Sequence, residues 1–442
     1  MTSRIFIAYL LLIAVCPQVM SSNIDSTALN NEKIKKGWNI GALPAIAFDS
    51  DIGFRYGVIT NLYNYGNGKF YPRYNHSLYF EWSRTSKGSG TNQLIYDSEA
   101  LIPSLRITSE ASIFTEQALN FYGFNGYNAY YNPDIEKPGT SVYISKVFYR
   151  LDRKLDHLKI DIQGNITDRR FRWLAGLSHL NIKINTVDIQ NLNKEKSGND
   201  ILPNVPLLYD KFVEWGIIDA SQKNGGINNM AKAGIVFDTR DNEPNPMRGI
   251  WSEILLLISP SFLGNSKAFT KLAINHREYF TLKKELLNLA YRLSYQAKIN
   301  GTMPFYMLPF IYGSNTSTEG LGGSKNLRGV LRDRVVGEDF FYGNIELRWK
   351  FLRTYKFKQN FYLALAGFTD FGRVTGKYAV TTSNPEANFY LSKGSPEKWH
   401  QTYGLGAYAA MNQNFVAALN YGISVNKNDG NNGLYIGLNF LF

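Results

Sequence analysis

An alternation of apolar and polar residues with a period of two runs through most of this chain and constrains its fold more than any other feature. The segment 361–371 divides into two faces, with Phe361, Leu363, Leu365 and Phe371 on one and Tyr362, Ala364, Ala366, Phe368 and Asp370 on the other. Successive side chains of a β-strand point to opposite faces, so this pattern predicts strands. Helical spacing is nowhere sustained beyond the first 22 residues, and we predict an all-β protein.

The composition narrows the class of β-protein. Aromatic residues make up 14% of the 442 residues, with 29 tyrosines, yet the mean hydropathy is slightly negative. A chain that places apolar residues singly between polar ones has the pattern of a transmembrane β-barrel. The net charge of +12 would suit nucleic acid, lipid phosphates or a cationic lumen. The apolar alternation favours membrane lipid and a cationic lumen, and we expect no nucleic-acid partner.

The N-terminal part predicts export. Residues 1–22 contain one basic residue, Arg4, then an apolar run that is too short to span a membrane, which is typical of a signal peptide. Cys16, the chain's one cysteine, lies inside it. A lipid-attachment site at Cys16 is the weaker alternative, because the bulky Val15 precedes it. We expect 23–36 to form a short periplasmic tether and 37–442 to form the barrel.

The loop lengths predict an orientation. Counted back from the C-terminus, long and short connections alternate, as they do in outer-membrane barrels, where short turns face the periplasm. This places the C-terminus on the periplasmic side of a Gram-negative-type outer membrane. About 17 segments could be strands, and between 141 and 186 three of them compete for two places. An even number is required if both termini share one rim, and we predict 16 antiparallel strands.

One segment predicts what fills the barrel. By the alternation, Glu346 and Asp370 both point into the lumen, where two neighbouring carboxylates repel each other unless a cation lies between them. The extracellular loop 301–338 precedes Glu346 and contains Arg328 followed by Gly329. Gly329 allows a tight backbone, and the guanidinium of Arg328 can bind both carboxylates. We therefore predict that this long loop folds into the lumen and is clamped there by Arg328.

These residues lie in motifs that resemble those of the bacterial surface-antigen barrels. LRGV (327–330) after LGG (321–323) resembles the loop motif, and GNIELR (343–348) and FTDFGR (368–373) resemble the two strand motifs. The stretches 43–57 and 238–249 also resemble barrel segments of this family. The superfamily includes the central barrel of the β-barrel assembly machinery and the two-partner secretion transporters. The resemblance implies 16 strands and a bond between Arg328 and the inward acidic residues Asp370 and Glu346.

The chain departs from the family pattern in two places. The fourth residue of the loop motif is usually aromatic and is Val330 here, which predicts looser packing of the loop tip. Relatives that insert or secrete proteins carry periplasmic polypeptide-transport-associated domains before the barrel. The tether of about fifteen residues is too short for one, so we expect a member without these domains.

Other readings of the same residues are weaker. Arg328 could be a solvated surface charge, and Glu346 with Asp370 could be mistaken for a glycosidase acid pair. The glycines of 321–329 lack the spacing of a phosphate-binding loop. Asp238, Asp241 and Asn242 fit turn chemistry better than calcium binding. The histidines lack ligand spacing, and they are His76, His157, His179, His276 and His400. We expect no enzyme activity, no cofactor and no metal.

The C-terminus carries the last predicted feature. In the final segment the apolar residues are expected to face one way, and they are Leu434, Ile436, Leu438, Phe440 and Phe442. A terminal aromatic residue such as Phe442 could serve packing alone, but it also resembles the recognition signal read during barrel assembly, and we expect both roles.

Three functions are compatible with this sequence. The resemblance implies a barrel that assists assembly or export of outer-membrane or surface proteins, with those proteins as clients. A basic lumen and the missing periplasmic domains would suit a passive, anion-favouring channel. A structural accessory barrel, docked to a larger complex through the loop 187–228, is the third.

Overall fold

The computed structural model describes residues 34–442 except 50–52, 72, 87, 195, 244, 315–316, 358, 412–414 and 439. The predicted signal peptide (1–22) and residues 23–33 of the predicted tether lie outside the described residues.

The described residues form an antiparallel sheet that closes on itself. Its strands are β1 (Trp38–Pro44), β2 (Ala47–Asp49), β3 (Gly53–Asn64), β4 (His76–Thr85), β5 (Gly90–Ile102), β6 (Leu105–Asn120), β7 (Arg150–Asn165), β8 (Phe171–Asn185), β9 (Gly225–Asp238), β10 (Gly249–Ser259), β11 (Phe269–Lys283), β12 (Leu287–Gly301), β15 (Asp339–Lys356), β16 (Gln359–Gly376), β17 (His400–Met411), β18 (Phe415–Ser424) and β19 (Asn432–Leu438). A separate hairpin consists of β13 (Phe310–Tyr312) and β14 (Ser317–Glu319).

The sheet has the predicted 16 strands. Both β1 and β2 pair with β3, so they act as one interrupted strand, and every later strand of the sheet pairs with its neighbour along the chain. The ring closes where Tyr435 of β19 pairs with Asp49 of β2. Only β7 and β8 form between 141 and 186, because 142–149 belongs to the loop before β7. The prediction of an all-β, 16-stranded barrel is confirmed.

The two faces of the strands follow the sequence alternation. On β16 the side chains of Tyr362, Ala364 and Asp370 are buried inside the barrel. Apolar residues of the opposite parity are exposed around the outside, including Leu363 and Leu365 on β16. An apolar outer surface around a polar interior is the arrangement that a lipid bilayer requires of a barrel. None of the helices among the described residues has the length and apolar character needed to cross a membrane.

Long loops cover one end of the barrel, which we call the long-loop rim, and turns form the opposite, short-turn rim. Short α-helices lie in the described parts of these long loops: α1 (Ile189–Asn193), α2 (Leu208–Glu214) and α3 (Pro385–Ser392). Aromatic side chains from different loops pack together with the upper inner wall in the largest apolar cluster, among them Phe121, Phe124, Phe212, Trp215, Phe305 and Phe310. Burial of this apolar surface closes the long-loop rim.

The loop 187–228, expected as a docking surface, is largely part of this cover. Leu208 and Phe212 of α2 are buried, and the ring of Phe212 lies 5.3 Å from that of Phe121 in the loop before β7. The side chain of Lys211 reaches Glu386 of α3, with 2.7 Å between Nζ and Oε1. The helix therefore packs inward against neighbouring loops.

The end of the chain departs from the predicted facing. Leu434, Ile436 and Leu438 are at most partly buried, as expected of the outer face, but β19 ends at Leu438. Phe440 and Phe442 are both 7% exposed, and the ring of Phe440 stacks on Tyr408 of the inner wall at 4.4 Å. The expectation that all five residues face one way is wrong, because the segment 440–442 turns into the lumen while Ile436 stays exposed. Alternation holds only as long as the strand continues.

The turn 239–248 crosses the short-turn rim. Glu243 accepts hydrogen bonds from Arg106 of β6 at 2.7 and 3.0 Å. On the other side, Nζ of Lys350 on β15 donates to the side-chain oxygen of Asn245 at 2.9 Å. Burial opposes ionisation of Glu243, but Arg106 and Arg240 outweigh it and hold its pKa below the usual range. The turn is thus fixed to strands on both sides of it.

The outward face of β17 provides a test of where the lipid lies. Leu405, 71% exposed, is in the middle of the strand, whereas Gln401 shares its face near the long-loop rim. Leu405→Arg should lower the free energy of unfolding by about 2–4 kcal/mol, and Gln401→Arg by about 1 kcal/mol or less, because the cost of a lipid-facing charge depends on depth. Guanidinium titration in phospholipid vesicles, followed by tryptophan fluorescence, measures both. Equal costs would contradict the placement of this face in lipid.

Candidate functional site

The loop 302–338, which we call the inner loop, runs inside the barrel. Its hairpin β13–β14 is held by the inner wall, because Gln296 of β12 donates from Nε2 to the carbonyl oxygen of Tyr312 at 2.9 Å and accepts from its N–H at 3.2 Å. Asn275 of β11 donates to the same carbonyl at 3.0 Å. The paired amide of Gln296 fixes the hairpin much as a neighbouring strand would.

Arg328 of the inner loop makes the contacts that the sequence predicts. Its Nε and Nη2 donate to the two carboxylate oxygens of Asp370 at 2.9 Å each, and its backbone N–H donates to the same side chain at 3.0 Å. Its Nη1 donates to Glu346 at 2.6 Å. The side chain of Arg328 is 1% exposed. A two-pronged arginine–carboxylate contact fixes orientation as well as charge.

A second arginine completes the cluster and was not singled out from the sequence. Arg348, two residues after Glu346 and on the same face of β15, donates from Nε to Glu346 at 2.8 Å. The Arg328 cluster therefore consists of Arg328, Arg348, Glu346 and Asp370, with two positive and two negative charges. Balanced charge matters in a buried site, because an unpaired ion there is costly. The shared parity of Glu346 and Arg348 was the available sequence signal.

Uncharged groups complete the surroundings of Arg328. Its guanidinium carbon lies 3.4 Å from the centre of the Phe368 ring, a cation–π contact. Asn420 of β18 accepts a further hydrogen bond from Nη1 at 3.2 Å. Burial alone would lower the pKa of Arg328, but Asp370 and Glu346 outweigh it and raise that pKa above the ordinary value. Arg328 therefore stays charged inside the protein.

Gly329 allows the inner loop to approach the wall closely. Its φ is +100°, a conformation that residues with a Cβ rarely adopt, and an added Cβ would lie 2.8 Å from the carbonyl carbon of Gly422 on β18. Its N–H donates to the hydroxyl of Tyr435 on β19 at 3.0 Å. The backbone beside Arg328 thus touches both of the last two strands.

The expectation of loose packing at Val330 is wrong. Its side chain is 1% exposed and belongs to an apolar cluster with Leu321, Leu327, Val335 and Phe340, among others. Its N–H donates to the carbonyl of Leu327 at 3.1 Å, and its carbonyl accepts from Gly323 at 2.8 Å. The loop turns back on itself here, so the small side chain is covered by the loop's own residues and needs no aromatic ring.

Phe442 lies directly beside the Arg328 cluster. Nη2 of Arg348 donates to the carbonyl oxygen of Phe442 at 3.0 Å. The guanidinium carbons of Arg292 and Arg348 lie 5.2 and 5.1 Å from the centre of its ring. The end of the chain is therefore tied to Glu346 through Arg348. The role of Phe442 as an assembly signal stays a prediction.

This arrangement supports anchoring better than chemistry. The oxygens of both carboxylates in the cluster already accept hydrogen bonds from arginine, which leaves them engaged in binding the inner loop. Among the described residues, no group of three His, Cys, Asp or Glu lies close enough to hold a metal ion. His400 contacts Asp429 at 2.6 Å and Glu397 at 3.2 Å, and these contacts join two of the covering loops.

Comparisons with known proteins bear on the family and the fold. The Omp85 superfamily domain matches residues 111–442. Two similar solved structures are BamA from Haemophilus ducreyi lacking POTRA domains 1–3, at 14% identity and TM-score 0.50, and CdiB from Escherichia coli, at 8% identity and TM-score 0.52. Each match covers 92% of this chain. In the other direction, this chain spans 71% of the length of that BamA chain. It spans 63% of the length of that CdiB chain, which is less than two thirds. No match was found among curated proteins.

Charge reversal tests the Arg328 cluster. Arg328→Glu should lower the free energy of unfolding by about 3–5 kcal/mol, because it leaves buried carboxylates without their cation. Asp370→Arg in the same chain should restore part of this loss, and only part, because Glu346 would face the new glutamate. Chemical unfolding in lipid vesicles measures the stability of each variant.

Lys325→Glu serves as the control, because it makes the same change of charge on an exposed side chain three residues away. An unchanged stability in Arg328→Glu, or a double variant no better than the single one, would contradict the anchoring.

Proposed function

The chain belongs to the Omp85 superfamily of outer-membrane translocation and assembly barrels, and we propose that it assists the insertion or export of other outer-membrane or surface proteins. A client strand would be received at the seam between the first and last strands. The clients are expected to be outer-membrane or surface polypeptides. The resident surroundings are outer-membrane lipid, and no cofactor takes part.

The observation that carries this proposal is the incomplete seam. Within the described parts of β2 and β19, Tyr435 and Asp49 are the one residue pair that joins the two strands. By contrast, β16 and β17 are joined by a continuous register from Phe361 to Gly372. β1 pairs with β3 along Trp38–Pro44, and no residue pairing joins it to β19 within the described parts of the two strands. An unpaired strand edge is a template on which an incoming strand can form hydrogen bonds.

The inward turn of the chain end leaves residues 42–44 of β1 without a partner, because residues 440–442 would lie opposite them in the register of Tyr435 and Asp49. β19 stops at Leu438, while Phe440 stacks on Tyr408 inside the barrel. The last residues therefore do not extend alongside β1. The space beyond β1 is partly covered by Phe415 of β18, whose ring would lie 3.8 Å from a Cβ added to Gly41. A client strand could replace this side-chain cover with backbone pairing.

The orientation is part of the proposal. Long loops gathered on one rim and turns on the other are typical of outer-membrane barrels with the turns in the periplasm. We propose that the short-turn rim and the C-terminus face the periplasm of a Gram-negative-type cell, and that Phe442 is read during the protein's own assembly before it is buried. We also propose that residues 1–22 are a removed signal peptide, 23–36 a tether, and 37–442 the barrel.

The channel and accessory alternatives lack a specific observation in their favour. A passive channel needs an open lumen, but the inner loop, the turn 239–248 and residues 440–442 all occupy the interior or cross its short-turn end. An accessory barrel that docks through 187–228 needs a projecting surface, but α2 of that loop packs against its neighbours.

A cross-link across the seam tests the proposed function. Because Tyr435 and Asp49 pair in antiparallel register, Gly437 is expected opposite Ala47, and the double variant Ala47→Cys with Gly437→Cys can be oxidised to lock the seam. Cys16, within the predicted signal peptide, is the one native cysteine. In cells whose sole copy is the locked form, quantitative proteomics of purified outer membranes should show a selective loss of other barrels or surface proteins, reversed by a reductant.

The control is the matched pair Leu363→Cys and Ala409→Cys, which face each other in the fully paired β16–β17 register. This variant should leave the proteome unchanged. An intact proteome in the seam-locked cells, or after depletion of the protein altogether, would overturn the proposal.

A further inference from the structure

One buried histidine lies where three covering loops meet at the long-loop rim. These loops are 121–149, 377–399 and 425–431, which connect β6 to β7, β16 to β17 and β18 to β19. His400 is the first residue of β17 and lies beneath them, beyond the membrane-spanning part of that strand, with a side chain that is 0% exposed. Its position allows one ring to contact residues of all three loops.

Each loop contributes one side chain to the surroundings of this ring. Nδ1 of His400 lies 2.6 Å from Oδ1 of Asp429, and Nε2 lies 3.2 Å from Oε1 of Glu397. The ring of Tyr127 stacks on the imidazole, with 4.0 Å between the two centres. The hydroxyl of Tyr127 donates to Oδ2 of Asp429, and the backbone N–H of Tyr127 donates to Oε2 of Glu397 at 2.8 Å. We call these four residues the His400 bridge.

The His400 bridge also contacts the inner loop. The N–H of Leu331 donates to the carbonyl oxygen of Asp429 at 2.7 Å. Arg334 donates from Nε to the carbonyl oxygen of Asn428, the preceding residue, at 2.8 Å. The covering loops are therefore joined at the bridge both to one another and to the inner loop.

The bridge makes its full set of hydrogen bonds when the imidazole carries a proton on each nitrogen. A protonated imidazole donates to both Asp429 and Glu397, whereas a neutral imidazole donates to one of them and turns a lone pair toward the other. Loss of the proton therefore removes one hydrogen bond and one positive charge from a buried site. Burial alone would lower the pKa of His400, but its contacts with Asp429 and Glu397 outweigh burial and raise that pKa above the ordinary value.

The other groups around the ring do not titrate in place of His400. Burial and the charge of Asp429 raise the pKa of Tyr127 above its usual range, so its hydroxyl stays protonated. The guanidinium carbon of Arg334 lies 5.9 Å from the centre of the Tyr127 ring, and arginine is not deprotonated in proteins. Gly372 of β16 lies opposite His400 in the register and has no side chain.

We propose that the His400 bridge is a pH-sensitive latch on the cover of the long-loop rim, closed while the imidazole is protonated and released when it loses that proton. Because the closed latch raises the pKa of His400, the stability that it contributes is fully present below the ordinary histidine pKa of about 6.5. That stability is lost as the pH rises through the raised value. The proposal concerns the cover alone and does not depend on the handling of client proteins.

Hydrogen–deuterium exchange of the protein in lipid nanodiscs, measured from pH 6 to 9, tests the latch. Each rate is divided by the intrinsic rate at the same pH, which gives the protection of that amide. Tyr127 donates to Glu397, and Ser395 donates to the carbonyl of Tyr127, so both amides join two covering loops. Above pH 6.5 their protection should fall about tenfold per pH unit until His400 has titrated, because opening releases one proton. The amide of Tyr312, bonded to the inner wall, should keep constant protection.

The variant His400→Gln removes the titrating group and keeps a side chain that can donate to one carboxylate. Its protection at Tyr127 and Ser395 should be lower than that of the wild type at pH 6 and should not change with pH. The matched control is His276→Gln, because His276 also contacts a carboxylate, at 3.8 Å from Glu278, but on the wall at β11. This control should reproduce the wild-type profile.

Constant protection of Tyr127 and Ser395 in the wild type from pH 6 to 9 would overturn the proposal. A fall of the same slope in His400→Gln would also overturn it, because the proton would then come from another group. Asp429→Asn supplies a second variant that keeps the histidine and removes one carboxylate. In this variant the loss of protection should level off at a lower pH, and an unchanged profile would contradict the latch.

Discussion

The ion-paired contact between Arg328 and the two carboxylates Glu346 and Asp370 is the interaction on which the rest of the interior depends. A loop of 37 residues has a large conformational entropy outside the barrel, and it stays inside only if local contacts compensate for its ordering. Burial of the two carboxylates is acceptable because the charges of Arg328 and Arg348 balance theirs and because their oxygens accept hydrogen bonds from both arginines. The covering loops then depend on the inner loop, since Asn125 donates to the carbonyl of Val336.

The same contacts connect the interior to the wall where the ring closes. A continuous series of hydrogen bonds leads from Arg328 to Glu346, from Glu346 to Arg348, and from Arg348 to the carbonyl of Phe442. The end of the chain is held inside by this series, so it cannot extend along β1. In the register set by Tyr435 and Asp49, residues 440–442 would lie opposite 42–44 if the strand continued. The packing of the interior therefore leaves this part of β1 without a partner, and it links the interior anchor to the seam.

The sequence predicted much of the fold because the barrel's main constraint is local. A period of two follows from a polar interior and a lipid exterior, so the facing of Glu346 and Asp370 could be obtained from alternation. The number of 16 strands also needed the requirement of an even count, because alternation alone indicated about 17 segments. Arg328 was identifiable because two inward carboxylates need a cation. Arg348 was missed because alternation reports only that a side chain faces inward, and not which of several inward groups it contacts.

The errors at Val330, Phe440 and Phe442 have a different origin. Alternation cannot report where a strand stops, and the end of β19 is set by stacking of Phe440 on Tyr408, a contact between residues 32 positions apart in the chain. Val330 is covered because the inner loop folds back on itself. The burial of Val330 and the end of β19 depend on packing between residues that are distant in the chain. The alternation within one segment carries no information about such contacts.

Hydrogen–deuterium exchange of the wild-type protein in lipid nanodiscs tests the central claim, that the inner loop is anchored inside the barrel, most directly. The amides of 327–331 should exchange as slowly as those of β15, because each of them donates a hydrogen bond to the wall, to a neighbouring loop or to the inner loop itself. The exposed loop residues 197 and 198 should exchange within seconds. Exchange of 327–331 as fast as that of 197 and 198 would contradict the account.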